Sequence, residues 1–188
     1  TVYPGNQKLE LQYAEKNGAK TPFLGLYVGK NIEFILGLFD DEFSFVDSRM
    51  NRIEYLEAPY IGFEGKERLG SARGYIWSRS LPMLFDHLII GTGPDTYFAE
   101  FPQGDYLAKL YSYGTAQMLV DKPHNLYLQI GIQQGGIALL AFLAMMGAYL
   151  VESFRLYALR KDYTAQEAVG VALALAIIGY LGAGFFND

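Results

Sequence analysis

Two stretches of this sequence contain no Asp, Glu, Lys or Arg: Asn125 to Val151, and Ala168 to Asn187. A helix needs about 20 consecutive, mainly apolar residues to cross the hydrocarbon of a bilayer, and each stretch is long enough. They predict a hairpin of two transmembrane helices, the first rising from Gly136 through Val151. The connection, Glu152 to Glu167, is short and charged and holds Arg155, Arg160 and Lys161. The bias of basic residues toward cytoplasmic loops places it inside the cell. Everything before the hairpin then faces outward, so residues 1–134 are expected to be extracytoplasmic.

The chain opens on Thr1 rather than Met and lacks the basic-then-apolar start of a cleavable signal. It stops at Asp188, directly after the second apolar stretch. It therefore reads as a fragment of a longer, multi-pass cell-membrane protein whose missing part lies mainly before residue 1, and the fragment is not expected to be active by itself.

Charge and chemistry narrow the function classes. Net charge is −5 and no basic run suggests nucleic acid. With no Cys, a disulfide, a thiolate nucleophile and a thiolate metal site are excluded. Two His, His87 and His124, do not make a His-rich metal centre. Asp86, Asp95, Asp105 and Asp121 show no compact ligand spacing, so no metal site is expected.

Residues 7–60 read as β-rich, from alternation at 8–12, 30–37 and 42–46 with turn chemistry at 17–20 and 39–41. They predict a small, antiparallel, half-buried sheet or a pair of hairpins. A polar, glycine-punctuated stretch at 62–70 marks a boundary. Ser71 is positioned to cap a helix over Ala72–Phe85, with Pro82 expected to kink or shorten it. A short amphipathic piece from Asp95 to Phe101 and a less regular, tyrosine-rich segment through Gly114 follow. Pro123 suits the first turn of the next helix. The segments expected are 1–62, β-rich; 63–134, a helical loop; and 135–188, the hairpin. The fold class is mixed: a polytopic α-helical membrane protein fragment with a small β-rich insertion, loop helices and two transmembrane helices.

His124 lies where the polar loop meets the apolar helix, and an imidazole there can accept a proton from a hydroxyl. Capping the helix end is the plainer role. Lys122 and Asn125 beside it supply a cation and an amide. Arg73 has the planar donor fork that grips phosphates. Arg79, six residues on, turns away from Arg73 on a helix, and a surface ion pair is the plainer reading for it. Trp77 stands one turn after Arg73.

The segments SARGYIWSRSLPM at 71–83, GTGPDTY at 91–97 and KPHNLYLQ at 122–129 occur in that order, before Gly135, Gly136 and an apolar span. Together they resemble the O-antigen ligase and polymerase superfamily, which shows an Arg and Trp on a loop helix, then His with Asn or Ser, then nine residues and a Gly. Asn125 and Gly135 have nine residues between them. Ala138 stands where the family's second Gly is usual, with Gly136 nearby. The resemblance covers about residues 70–188, leaving residues 1–60 outside as an insertion like that of Gram-positive members. It implies metal-independent glycan transfer, without cofactor, from a polyprenyl diphosphate-linked donor to a glycan, lipid or protein acceptor at the outer face of the cytoplasmic membrane, in surface polysaccharide biosynthesis. It also implies His124 and Arg73 as catalytic, with Asn125, Lys122, Arg79 and Trp77 as substrate-binding. Two rivals are a non-enzymatic envelope scaffold and a transporter. The latter is disfavoured because polar residues are nearly absent along the spans.

Overall fold

The computed structural model describes residues 7–16, 19–28, 30–47, 49–55, 57–160 and 162–187. The elements are β1 (Gln7–Lys16), β2 (Ala19–Val28), β3 (Asn31–Phe39), β4 (Glu42–Phe45), α1 (Leu69–Asp86), α2 (Tyr97–Glu100), α3 (Tyr106–Tyr113), α4 (Leu126–Gln133), α5 (Gly136–Tyr157) and α6 (Ala165–Ala183). They form two compact units. The first comprises Thr1–Pro59, Phe63–Tyr75 and Pro102–Leu119; the second comprises Tyr60–Gly62, Ile76–Phe101 and Val120–Asp188. The expected turn residues Asn17 and Gly18, and Lys161 of the hairpin loop, lie outside the described residues.

In the first unit the expected sheet is a four-stranded antiparallel meander in the order β1-β2-β3-β4. β2 escaped the period-two reading because Pro22 and Gly25 interrupt its alternation. Pro22 pairs with Tyr13 of β1 but lies beyond the β3 ladder, which begins at Phe23 and Gly37. A residue without an N–H is tolerated where the strand has a neighbour on one side only. Asp40 and Asp41, with φ of 48° and 66°, turn β3 into β4. Two successive left-handed residues give a turn whose twist matches that of the strands.

The core of this unit is small. Phe34, Leu110 and Ala116 are buried, with Leu26 and Phe45 packed against them. Each large apolar side chain so buried contributes about 2 kcal/mol. A carboxylate is buried beside them: Glu33 accepts from Thr115 Oγ1 at 3.0 Å and from the Ala116 N–H at 2.7 Å. The tyrosine-rich segment expected to be less regular is the helix α3, which closes at Gly114. Its Lys109 is buried and donates to Gln103, and burial lowers its pKa while Asp105 opposes the shift.

The start of α1 corrects the expected cap. Gly70, Ser71 and Ala72 are all left-handed, and the regular helix begins at Arg73. Left-handed backbone at Ser71 and Ala72 costs on the order of 1 kcal/mol each. The Tyr75 N–H then closes on the Glu67 carbonyl at 2.9 Å, and Ala72 and Tyr75 are buried.

In the second unit, α1 runs through Pro82 to Asp86 rather than stopping there. A proline leaves the carbonyl four residues earlier without its helical donor. That carbonyl belongs to Ser78, and the Ile61 N–H reaches it at 2.9 Å. The loop thus supplies the missing hydrogen bond. Ser80 and Tyr97, both fully buried, share a 2.7 Å hydrogen bond between hydroxyls.

Helices α5 and α6 fall on the two charge-free stretches. α5 has 22 residues and α6 has 19, lengths of about 33 and 28 Å at a rise of 1.5 Å per residue. Both are long and apolar enough to cross a membrane, with mean hydropathies of 1.9 and 1.6 over their most apolar windows. α5 continues past Val151 to Tyr157, further than the charge pattern suggested. α6 opens with a reciprocal cap: Thr164 Oγ1 accepts from the Glu167 N–H, and the Glu167 carboxylate accepts from the Thr164 N–H. Arg160 pairs with Glu167 across the connection.

Candidate functional site

His124 is held in a left-handed backbone conformation, with φ of 50°. His is among the few non-glycine residues that visit this region, and it persists where the surroundings over-determine it. The restraints come from both neighbours in the chain. On one side, Trp77 Nε1 donates to the Pro123 carbonyl at 3.0 Å. On the other, Asn125 is the N-cap of α4: its Oδ1 accepts from the N–H groups of Tyr127 and Leu128, each at 3.0 Å. Pro123 therefore precedes the cap by two residues and is not in the helix's first turn.

A second set of bonds ties this turn to the end of α6. Asn125 Nδ2 donates to the Phe185 carbonyl at 3.1 Å. The Leu126 N–H donates to Gly184 O at 2.8 Å, and Tyr127 Oη donates to Leu181 O at 2.6 Å. Aromatic contacts follow the same line: Trp77 lies 6.1 Å from Phe186 and Tyr127 lies 4.8 Å from Phe185, ring centre to ring centre. Burial raises the Tyr127 pKa, with Tyr180 adding to the effect. The side chains of His124 and Lys122 are half-buried within this frame.

Trp77 and Asn125 thus converge on the backbone at His124. Arg79 sits in the same unit but faces other groups. It is only 4 % exposed, its guanidinium stacks over Tyr60 at 4.8 Å, and Nη1 donates to Ser78 Oγ at 3.0 Å. Burial overturns the surface placement expected of it. The cause is Tyr60, which comes from the loop before α1 and lies outside any helical periodicity.

Arg73 belongs to the first unit. It opens the regular part of α1, and its Nη1 donates to the Gly70 carbonyl at 3.1 Å. Its Nε is buried and has no hydrogen-bond partner among the described residues. A guanidinium N–H left in that state favours an acceptor oxygen, since an unpaired buried donor costs about 1–3 kcal/mol. The residue as a whole is half-buried.

The sequence pattern singled out Trp77, His124 and Asn125, but not the turn at 184–187 that anchors them. Phe185 and Gly184 act through their carbonyls, which any residue would supply, so composition carries no signal for them.

A family model described as O-antigen ligase matches residues 13–143. The match begins within β1 and ends within α5, so it takes in the sheet that the motif resemblance left outside. Among curated proteins and among solved structures, nothing matches the chain.

Proposed function

The chain belongs to the O-antigen ligase family, and from that premise we propose that it transfers a glycan from a polyprenyl diphosphate carrier to an acceptor hydroxyl. In this reading the acceptor oxygen attacks the anomeric carbon of the donor sugar. The bond from that carbon to the diphosphate oxygen breaks, the polyprenyl diphosphate leaves, and the hydroxyl proton passes to the His124 imidazole. Arg73 contacts the diphosphate, where a fixed cation balances charge that develops on the leaving group. Lys122 and the accessible face of Trp77 serve the substrate near His124. Arg79, buried and stacked on Tyr60, takes a positioning role in α1 rather than a direct contact with substrate.

The observation that carries the proposal is the pinned backbone of His124. A helix-end histidine with no further task needs no left-handed φ, and no donor from a helix some fifty residues earlier in the chain. A general base does need such restraint, because proton transfer depends on hydrogen-bond reach to the reacting hydroxyl. Asn125 contributes here by holding the turn: Oδ1 is engaged by two N–H groups and Nδ2 by the Phe185 carbonyl. No resident metal takes part in this reading, so chelation leaves transfer unchanged.

The test uses cells lacking the gene, complemented with wild type, His124→Ala or Arg73→Ala at matched membrane abundance. Lipid-linked glycan units and finished surface glycan are measured together. Accumulated lipid-linked units with lost surface glycan are the expected result for both variants. The length distribution of the wild-type product separates a single ligation from polymerisation. Wild-type glycan from both variants would leave the envelope scaffold as the better reading.

A further inference from the structure

We propose that the connection from α1 to α2 is a membrane wedge, inserted into lipid hydrocarbon beside the first turn of α5. This rests on the reading of α5 as a membrane span. Phe85, Leu88, Ile89 and Ile90 are 58, 50, 73 and 78 % exposed. Four large apolar side chains so close in sequence form a surface patch of the kind that marks an interaction site.

Backbone contacts fix where this patch lies. The Gly136 N–H donates to the His87 carbonyl at 3.2 Å, and the Ile137 N–H donates to the Leu88 carbonyl at 3.1 Å. The wedge is therefore level with the start of the apolar span. Its exposed surface continues into that of Ile137 and Leu140, which are 59 and 68 % exposed on α5. Further along, the Thr92 and Gly93 N–H groups donate to the carbonyls of Ile132 and Gln133, each at 2.9 Å. Gly91 permits that approach, since a Cβ there would overlap the Gln133 carbonyl oxygen.

These bonds take the carbonyls of His87 and Leu88 and the N–H groups of Thr92 and Gly93 out of contact with hydrocarbon. Irregular backbone is tolerated at membrane depth only where its polar groups find protein partners. The first N–H groups of a helix are ordinarily orphans, and here carbonyls of the wedge take two of them in place of water. The occupant is hydrocarbon rather than anionic headgroups: between Arg79 and Lys109 the chain has no Lys or Arg to attract them.

Residues 1–188 contain no Cys, so Ile90→Cys and Ile89→Cys, with any Cys outside them replaced by Ser, each carry a single nitroxide label. The full chain is reconstituted in phosphatidylcholine vesicles, and label collisions with oxygen and with a water-soluble nickel chelate are measured. Leu140→Cys reports the span and Glu64→Cys reports water. A wedge gives an oxygen-to-nickel collision ratio at positions 89 and 90 that matches position 140 and lies several-fold above position 64. A ratio like that of position 64 overturns it, placing the patch in water. Low collision with both probes also overturns it, showing polypeptide over the patch. If position 140 itself reports water, the span reading has failed; if only positions 89 and 90 do, the wedge alone has failed.

Discussion

The sheet of the first unit and the turn at His124 both hold irregular polar backbone in place, and they do so by different means. The sheet relies on neighbours close in sequence: each strand pairs with the next, and the left-handed residues Asp40 and Asp41 sit in a two-residue turn that any β-hairpin can use. A long-range polar anchor among its described residues is the Glu33 carboxylate, received by Thr115 and Ala116. At His124 the proportions are reversed. A single left-handed residue is held by Trp77 from before it and by the end of α6 from after it, through Asn125 and Leu126. Local pairing makes a sheet tolerant of change at any one position. Convergent restraint on one backbone fixes a side chain in space, which is what a reacting group needs.

The comparison breaks or sharpens under substitution. The largest effect is expected for His124→Ala, which should lower glycan transfer by about 100-fold or more, the usual contribution of a general base. The fold around it should remain, because its anchors are carried by its neighbours. Near-normal transfer from this variant would reduce the turn to a structural joint.

Next comes Asn125→Ala, expected to cost about 1 kcal/mol of stability as a lost N-cap and to slow transfer as well. Asn125→Asp keeps the cap acceptor and loses the donor to Phe185, so its transfer rate should fall between alanine and wild type. Equal rates for Asp and Asn at 125 would show that the tie to α6 is idle.

In the sheet, Glu33→Ala strips the acceptor from the Ala116 N–H. The expected cost is about 1–3 kcal/mol, that of a buried donor left unpaired, and it should appear as faster amide exchange in β3 while transfer stays at the wild-type rate. A fall in transfer at matched abundance would show that the sheet does more than fold. The smallest effect is expected for Asp41→Gly, which relieves left-handed backbone and should slow exchange at the β3–β4 turn, a gain of about 0.5 kcal/mol after the added freedom of the unfolded glycine. No gain would mean that the aspartate's own hydrogen bonding already offsets the strain.

Much of this was legible in the sequence because it follows from periodicity and charge. The absence of charge over 125–151 and 168–187 marks α5 and α6, and alternation marks β1, β3 and β4. β2 was missed because Pro22 and Gly25 break alternation at places where the sheet tolerates them. α3 was missed because its tyrosines give a weak apolar face, and its burial of Lys109 depends on Gln103, which no helical pattern includes. The start of α1 was misjudged at Ser71 for a related reason. The left-handed run there is stabilised by the contact of Tyr75 with Glu67, a bond that bypasses the expected cap.

By itself the sequence determined that two segments of this chain suit hydrocarbon, that a small sheet precedes them, and that an Arg, a Trp and a His–Asn pair stand in the order of one enzyme family. Those properties depend on side-chain type and spacing, which are written residue by residue. Only the tertiary structure decided that Trp77 and the turn after α6 restrain His124, that Arg79 is buried against Tyr60, and that Ile61 completes the helix at Pro82. Each of those bonds uses a backbone carbonyl, a backbone N–H or a ring brought near by folding. Backbone groups are the same in every residue, so their partners are chosen by topology and leave no mark in composition.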